Sequence, residues 1–162
     1  MEGYRKYVTI EVVVSIFMST LMNCIMTFVI FRAIPTVPVW GTSGAVFDAV
    51  PTAFMTVLMS SIMPGWLTAR RARANALSFD KTHAARLPGN VLVRALLLAV
   101  AGALVVALLA SALASLSGAA IVAFWTLILW KILLSFLIPL CVTPIAIRES
   151  LANRGPKSRA LP

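Results

Sequence analysis

The chain has 162 residues, 60% of them hydrophobic and 12% charged, with a formal net charge of +9 and a mean hydropathy of +0.97. Soluble domains carry roughly 25% charged residues, so a water-soluble fold of this size could not cover its apolar surface, and lipid must be the solvent for most of it. The basic residues lie between and beyond the apolar stretches, a pattern of membrane-flanking charge that argues against a nucleic-acid surface.

A spanning helix needs about 20 predominantly apolar residues, and four segments qualify. The first, Tyr7–Phe31, follows Arg5 and Lys6 as a signal peptide would. It is longer than a signal core and no small-residue cleavage site follows, so we read it as an uncleaved helix. The loop from Arg32 to Thr42 holds Pro35, Pro38 and Trp40, a short stiff connection with an aromatic at the interface. The second span is Ser43–Leu67. The polar segment from Thr68 to Asn90 opens with Arg70, Arg71 and Arg73, which we expect to extend helix two as a basic surface helix. The third span, Val91–Leu116, and the fourth, Ala119–Ile147, are separated only by a turn from Ser115 to Gly118. That spacing predicts a tight antiparallel hairpin, and the fourth span is long enough to tilt, or to bend at Pro139 and Pro144.

Orientation follows from the Lys and Arg distribution. Arg5, Lys6, Arg70, Arg71, Arg73, Lys81, Arg86, Arg148, Arg154, Lys157 and Arg159 fall on one side, Arg32 alone on the other. The positive-inside rule then places both termini and the long loop in the cytoplasm. We expect one membrane domain over 1–162, with repeat one at 7–75, a cytoplasmic loop at 68–90, repeat two at 91–152 and a flexible tail at 153–162.

The repeat is suggested by layout. Met63-Pro64-Gly65-Trp66 and Thr143-Pro144-Ile145-Ala146 each precede a basic exit, about 80 residues apart. Two such units in the same topology would be related by an axis along the membrane normal. The run Trp125 to Lys131, then Ser135-Phe136, Pro139, Pro144 and Arg148, resembles DUF2798, a family of small bacterial two-helix membrane proteins. Phe17 to Thr27 resembles the start of that unit, and Ala53 to Pro64 its end. The resemblance implies a fused tandem pair. The first copy departs from it, placing Asp48 and Pro51 where the second has its paired tryptophans. The family is one of unknown function, so the resemblance implies architecture and no activity.

Charge inside a span costs about 2.5–3.5 kcal/mol at the helix centre, which singles out Glu11, Asp48, Arg94 and Lys131. At a rise of about 1.5 Å per residue, Glu11 and Arg94 lie at similar depth near the cytoplasmic ends of their helices. Asp48 lies near the outer surface and Lys131 deeper, and a lysine stem leaning toward its helix N-terminus can reach outward. We therefore expect two acid–base pairs between the repeats, Glu11 with Arg94 and Asp48 with Lys131. In the alternative, Lys131 faces a wet cavity and binds an anionic group or exchanges a proton. Asn23, mid-helix, needs a hydrogen-bond partner on another helix.

Met18, Met22 and Met26 recur every four residues on helix one, and Met55, Met59 and Met63 on helix two. Adjacent antiparallel helices could bring the stripes together beside Cys24, and soft thioethers suit Cu(I). Methionine is also an adaptable core filler, and a stripe at this spacing is usually packing. Ser15, Ser19, Thr20, Ser60, Ser61, Ser111, Ser135 and Gly102 with Ala99 and Ala103 are small enough to let helices approach closely. The single histidine, His83, lies in the long loop, and neither a Ser-His-Asp set nor a phosphate loop is present. No cofactor and no enzymatic activity are therefore expected.

These observations imply an all-α fold: an integral four-helix bundle of two repeated helical hairpins, N-in/C-in, in a bacterial inner membrane. The expected role is an accessory or structural subunit acting by helix–helix docking, as a homo-oligomer or within a larger membrane complex. The alternative is a homo-oligomeric transporter or channel for a small solute or ion, with a site at Lys131, Asp48 and Asn23.

Overall fold

The computed structural model describes residues 2–32, 34–73 and 87–152. Four long helices, α1 (Glu2–Phe31), α2 (Ala45–Arg73), α3 (Val91–Ser117) and α4 (Phe124–Ala152), account for nearly all of them. Each is long and apolar enough to cross a membrane, which fits a multi-pass membrane protein. Helices are the form such a chain must take, because backbone polar groups in lipid have to be satisfied within the segment.

All four helices outrun the apolar segments or start later than they do. The basic residues after Leu67 continue α2 through Arg73, and α4 runs past Ile147 to Ala152. Hydropathy ends where charge begins, but helical hydrogen bonding continues into the interface. Helix α4 begins at Phe124 rather than at Ala119. Gly118, with φ +62°, caps α3 in the left-handed conformation, and the chain then forms a short strand, β2 (Ile121–Ala123), before α4 begins. At the other end of α3, the Asn90 side chain caps the helix by accepting from the Leu92 N–H at 2.9 Å.

The stiff first loop holds the matching strand, β1 (Thr36–Pro38), and the two pair antiparallel in the register Thr36–Ala123, Val37–Val122, Pro38–Ile121. Further backbone bonds, Val39 N–H to Ala120 O and Phe124 N–H to Pro35 O, extend the ribbon at both ends. The ribbon ties together the α1–α2 and α3–α4 connections and marks one end of the bundle. The opposite end carries the start of α1 and the end of α4.

Helices α3 and α4 do not form the expected tight hairpin. Helix α2 packs against both α3 and α4, α1 lies on α4, and the sequence-adjacent pairs α1–α2 and α3–α4 touch only lightly. The α2–α3 seam explains why: Ala49, Ala53 and Val57 meet Ala99, Val106 and Ala110 in one buried cluster. A Cβ at Gly102 would lie 2.7 Å from the Val57 side chain, so glycine there lets the two backbones close to contact distance. Small residues drive such packing in lipid, where an apolar side chain gains nothing by leaving the solvent. Pro51 and Pro64 lie inside α2, and Pro139 and Pro144 inside α4, both of which run unbroken past them.

Candidate functional site

Two turns into α4, the Lys131 side chain turns inward and is only 3% exposed. Its Nζ lies 2.5 Å from Oδ2 of Asp48, in the first turn of α2. That buried oxygen has no hydrogen-bond partner among the described residues, so the ammonium is what compensates it. The Phe31 ring, its centroid 5.7 Å from Nζ, covers the cation from the side. Phe31, Val37 and Leu127 form a small apolar cluster at the ribbon end. Lys131 is thus enclosed by side chains, while the Asp48 side chain keeps 18% of its surface exposed.

Below it, Asn23 of α1 joins three helices. Its Nδ2 donates to Thr56 Oγ1 on α2 at 3.1 Å and to Ser135 Oγ on α4 at 2.6 Å. Both hydroxyls donate onward, Thr56 to the Thr52 carbonyl and Ser135 to the Lys131 carbonyl. Every donor in this set is used, as burial in a low-dielectric interior demands. Asp48, Lys131 and Asn23 are therefore brought into one continuous polar region in the ribbon half of the bundle.

The other expected pair, Glu11 with Arg94, does not form. Glu11 faces Arg71 at the end of α2, at 3.5 Å. Arg71 also lies over the Tyr7 ring, whose hydroxyl bonds Thr68 Oγ1 at 2.9 Å. Arg94 is fully buried on the far side of α2, where it donates to Ser150 Oγ on α4 and feels the charge of Glu149. Glu149 in turn accepts the Leu87 N–H at 3.1 Å. The expected pairing rested on depth alone, and α2 separates α1 from α3. Gly65 opens the space: a Cβ there would sit 3.2 Å from the Arg94 guanidinium and 3.3 Å from Ser150 Oγ.

Sequence reasoning missed Arg71, Glu149, Ser150 and Gly65. The first three lie at or beyond the ends of the apolar runs, where a polar residue carries no cost that would single it out. The available signal was Arg94 itself, a lone base inside a span that must find an acid within reach.

The methionine stripes do not meet in a buried seam. Met18, Met22, Met26, Met55, Met59 and Met63 are 46–65% exposed, so the structure assembles no enclosed thioether cage from them. Cys24 is half-buried and Cys141 exposed; His83 lies outside the described residues. Ser60, Ser61 and Ser135 are buried between helices, with Ser15, Ser19, Thr20 and Ser111 partly so. Thr143 Oγ1 donates to the Ser60 carbonyl at 3.4 Å, linking α4 to α2. A cavity of about 230 Å³, open to the outside of the bundle, lies between α3, α4 and the ribbon. It is apolar and contains neither Lys131 nor Asp48 among its walls.

No family model matches the chain, and no curated protein or solved structure matches it.

Proposed function

We propose that this protein is an accessory membrane subunit that works by helix–helix docking, to itself or to a larger complex, and carries out no enzymatic step. In this reading it sits in a bacterial inner membrane with both termini in the cytoplasm, as the Lys and Arg asymmetry favours. Its two successive helix pairs, α1–α2 and α3–α4, are a tandem repeat of the DUF2798-like unit. The packing order supports that: α2 and α4 meet centrally, α1 lies on α4, α3 lies on α2, and one ribbon joins the two equivalent loops. A two-fold axis along the membrane normal would produce this arrangement.

The observation that carries the functional reading is how Lys131 is used. The base deepest in a span is paired with Asp48 and only 3% exposed, and Arg94 is likewise buried and donates to Ser150. Intramembrane charges that serve transport face a water-filled path, whereas these bind helix to helix.

One observation favours the alternative, a homo-oligomeric transporter. The Ser60 and Ser61 hydroxyls are buried without a hydrogen-bond partner among the described residues, on the same stretch of α2 as the Asn23 contact. A path through them would continue the polar region made by Asp48, Lys131 and Asn23.

The test uses the double variant Asp48→Asn/Lys131→Met, since a neutral pair keeps the fold where a lone buried charge would not. Native mass spectrometry of the gently extracted wild-type protein should show a stoichiometric partner, and the double variant should retain it. A clean homo-oligomer whose proteoliposomes conduct protons or alkali ions, with conduction lost in the folded double variant, would overturn the docking reading in favour of transport.

A further inference from the structure

The cavity at the ribbon end arises from a difference between the two outer helices. Helix α1 ends there in Phe31, which is buried against Val37 and Leu127 and fills its corner of the bundle. Helix α3 ends instead in Ala110, Ala114 and Ser117, all three of which line the cavity with Val46 of α2 and Trp130 of α4. Because α3 is held against α2 and scarcely touches α4, no side chain closes the gap.

The chemistry of the walls selects the occupant. Hydroxyls come only from Ser117 and Thr126. The Ser117 hydroxyl already donates to the Ala114 carbonyl at 2.9 Å and accepts the Ala119 N–H at 3.3 Å. An ordered water needs two to four polar partners, more than these walls leave free. A cavity of about 150 Å³ holds a benzene ring. In proportion, the 230 Å³ here accommodates roughly eight or nine carbons, about half of a membrane acyl chain. At the end of a spanning helix, the apolar molecules in concentrated supply are those chains.

We propose that this cavity is a phospholipid site that holds one acyl chain of the leaflet at the ribbon end, with the chain against Ala110, Ala114 and the Trp130 indole. The site depends on membrane insertion alone, not on the docking partner, so it stands or falls separately from the accessory reading.

Trp130 supplies the reporter. In a single-tryptophan protein (Trp40→Phe, Trp66→Phe, Trp125→Phe), phosphatidylcholine brominated along its acyl chains should quench Trp130 in a saturable phase, at several-fold lower mole fraction than it quenches a matched protein retaining only Trp125. Trp125 is 71% exposed and samples bulk lipid. Native mass spectrometry should find one retained mass equal to a phospholipid rather than a free fatty acid. Ala114→Phe, or the milder Ala114→Val if the first does not fold, should abolish both signals at an unchanged melting temperature. Quenching of Trp130 that rises in step with Trp125, or that survives the filled cavity, would overturn the proposal. So would a retained fatty acid in place of a phospholipid.

Discussion

At the ribbon end, Lys131 and Asp48 face each other directly across α2 and α4, with the Phe31 ring beside the ammonium. At the terminal end the charges divide into two unconnected sets: Glu11 with Arg71 on one flank of α2, and Arg94 with Ser150 and Glu149 on the other. The first arrangement is a single pair whose Asp48 Oδ2 has no other partner among the described residues. The second leaves Glu149 the Leu87 N–H as a further partner and the Arg71 side chain 45% exposed. The difference teaches that the same residue types carry different weight according to whether another partner remains when one is lost.

The largest effect is expected from breaking the Lys131–Asp48 pair. Lys131→Met leaves the Asp48 carboxylate buried and unpaired, which should cost about 3–5 kcal/mol, read as a loss of helicity in detergent titration. The exchanged double variant Asp48→Lys/Lys131→Asp should recover much of that loss. Recovery no better than either single variant would show that the two groups do not stabilise each other.

An intermediate effect is expected at Arg94. Arg94→Met removes the guanidinium from Ser150 but leaves Glu149 its bond from Leu87 N–H, so the loss should be about 1.5–3 kcal/mol, the range for a hydrogen bond to a charged group. Gly65 sharpens the point, because the room it leaves is useful only while Arg94 occupies it. A loss equal to that of Lys131→Met would erase the distinction between the two ends.

The smallest effect is expected on the other flank. Arg71 is partly exposed and its contact with Glu11 is long, so Glu11→Gln should change stability by no more than about 0.2–1 kcal/mol, and by less at high salt. A large, salt-independent loss would mean that Glu11 serves a buried network instead.

The legible part of the site was the part whose members all lay within apolar segments. Asp48 and Lys131 stood out by cost, sign and depth, and Asn23 by its place in the middle of a span. Glu149 was hidden because it follows Arg148 just past the apolar run, where a charge costs little and signals nothing. Arg71 was hidden within a basic cluster for the same reason. The β ribbon gave no warning either: three residues on each side, beside prolines and glycine, are too few to show an alternation.

Composition, hydropathy and the 1.5 Å rise of a helix were enough to establish four apolar segments able to span a membrane and the level of each intramembrane charge along its helix. Which helix stands beside which was decided only in three dimensions. In water, an apolar stripe reveals the face a helix buries; in lipid, the buried and solvent-facing sides are equally apolar. Ala99, Gly102 and Ala103 on α3 show the rule, since their small size mattered only once Val57 of α2 was opposite them. With α2 in that place, α1 and α3 were kept apart, Glu11 and Arg94 took separate partners, and the α3–α4 cavity was left open.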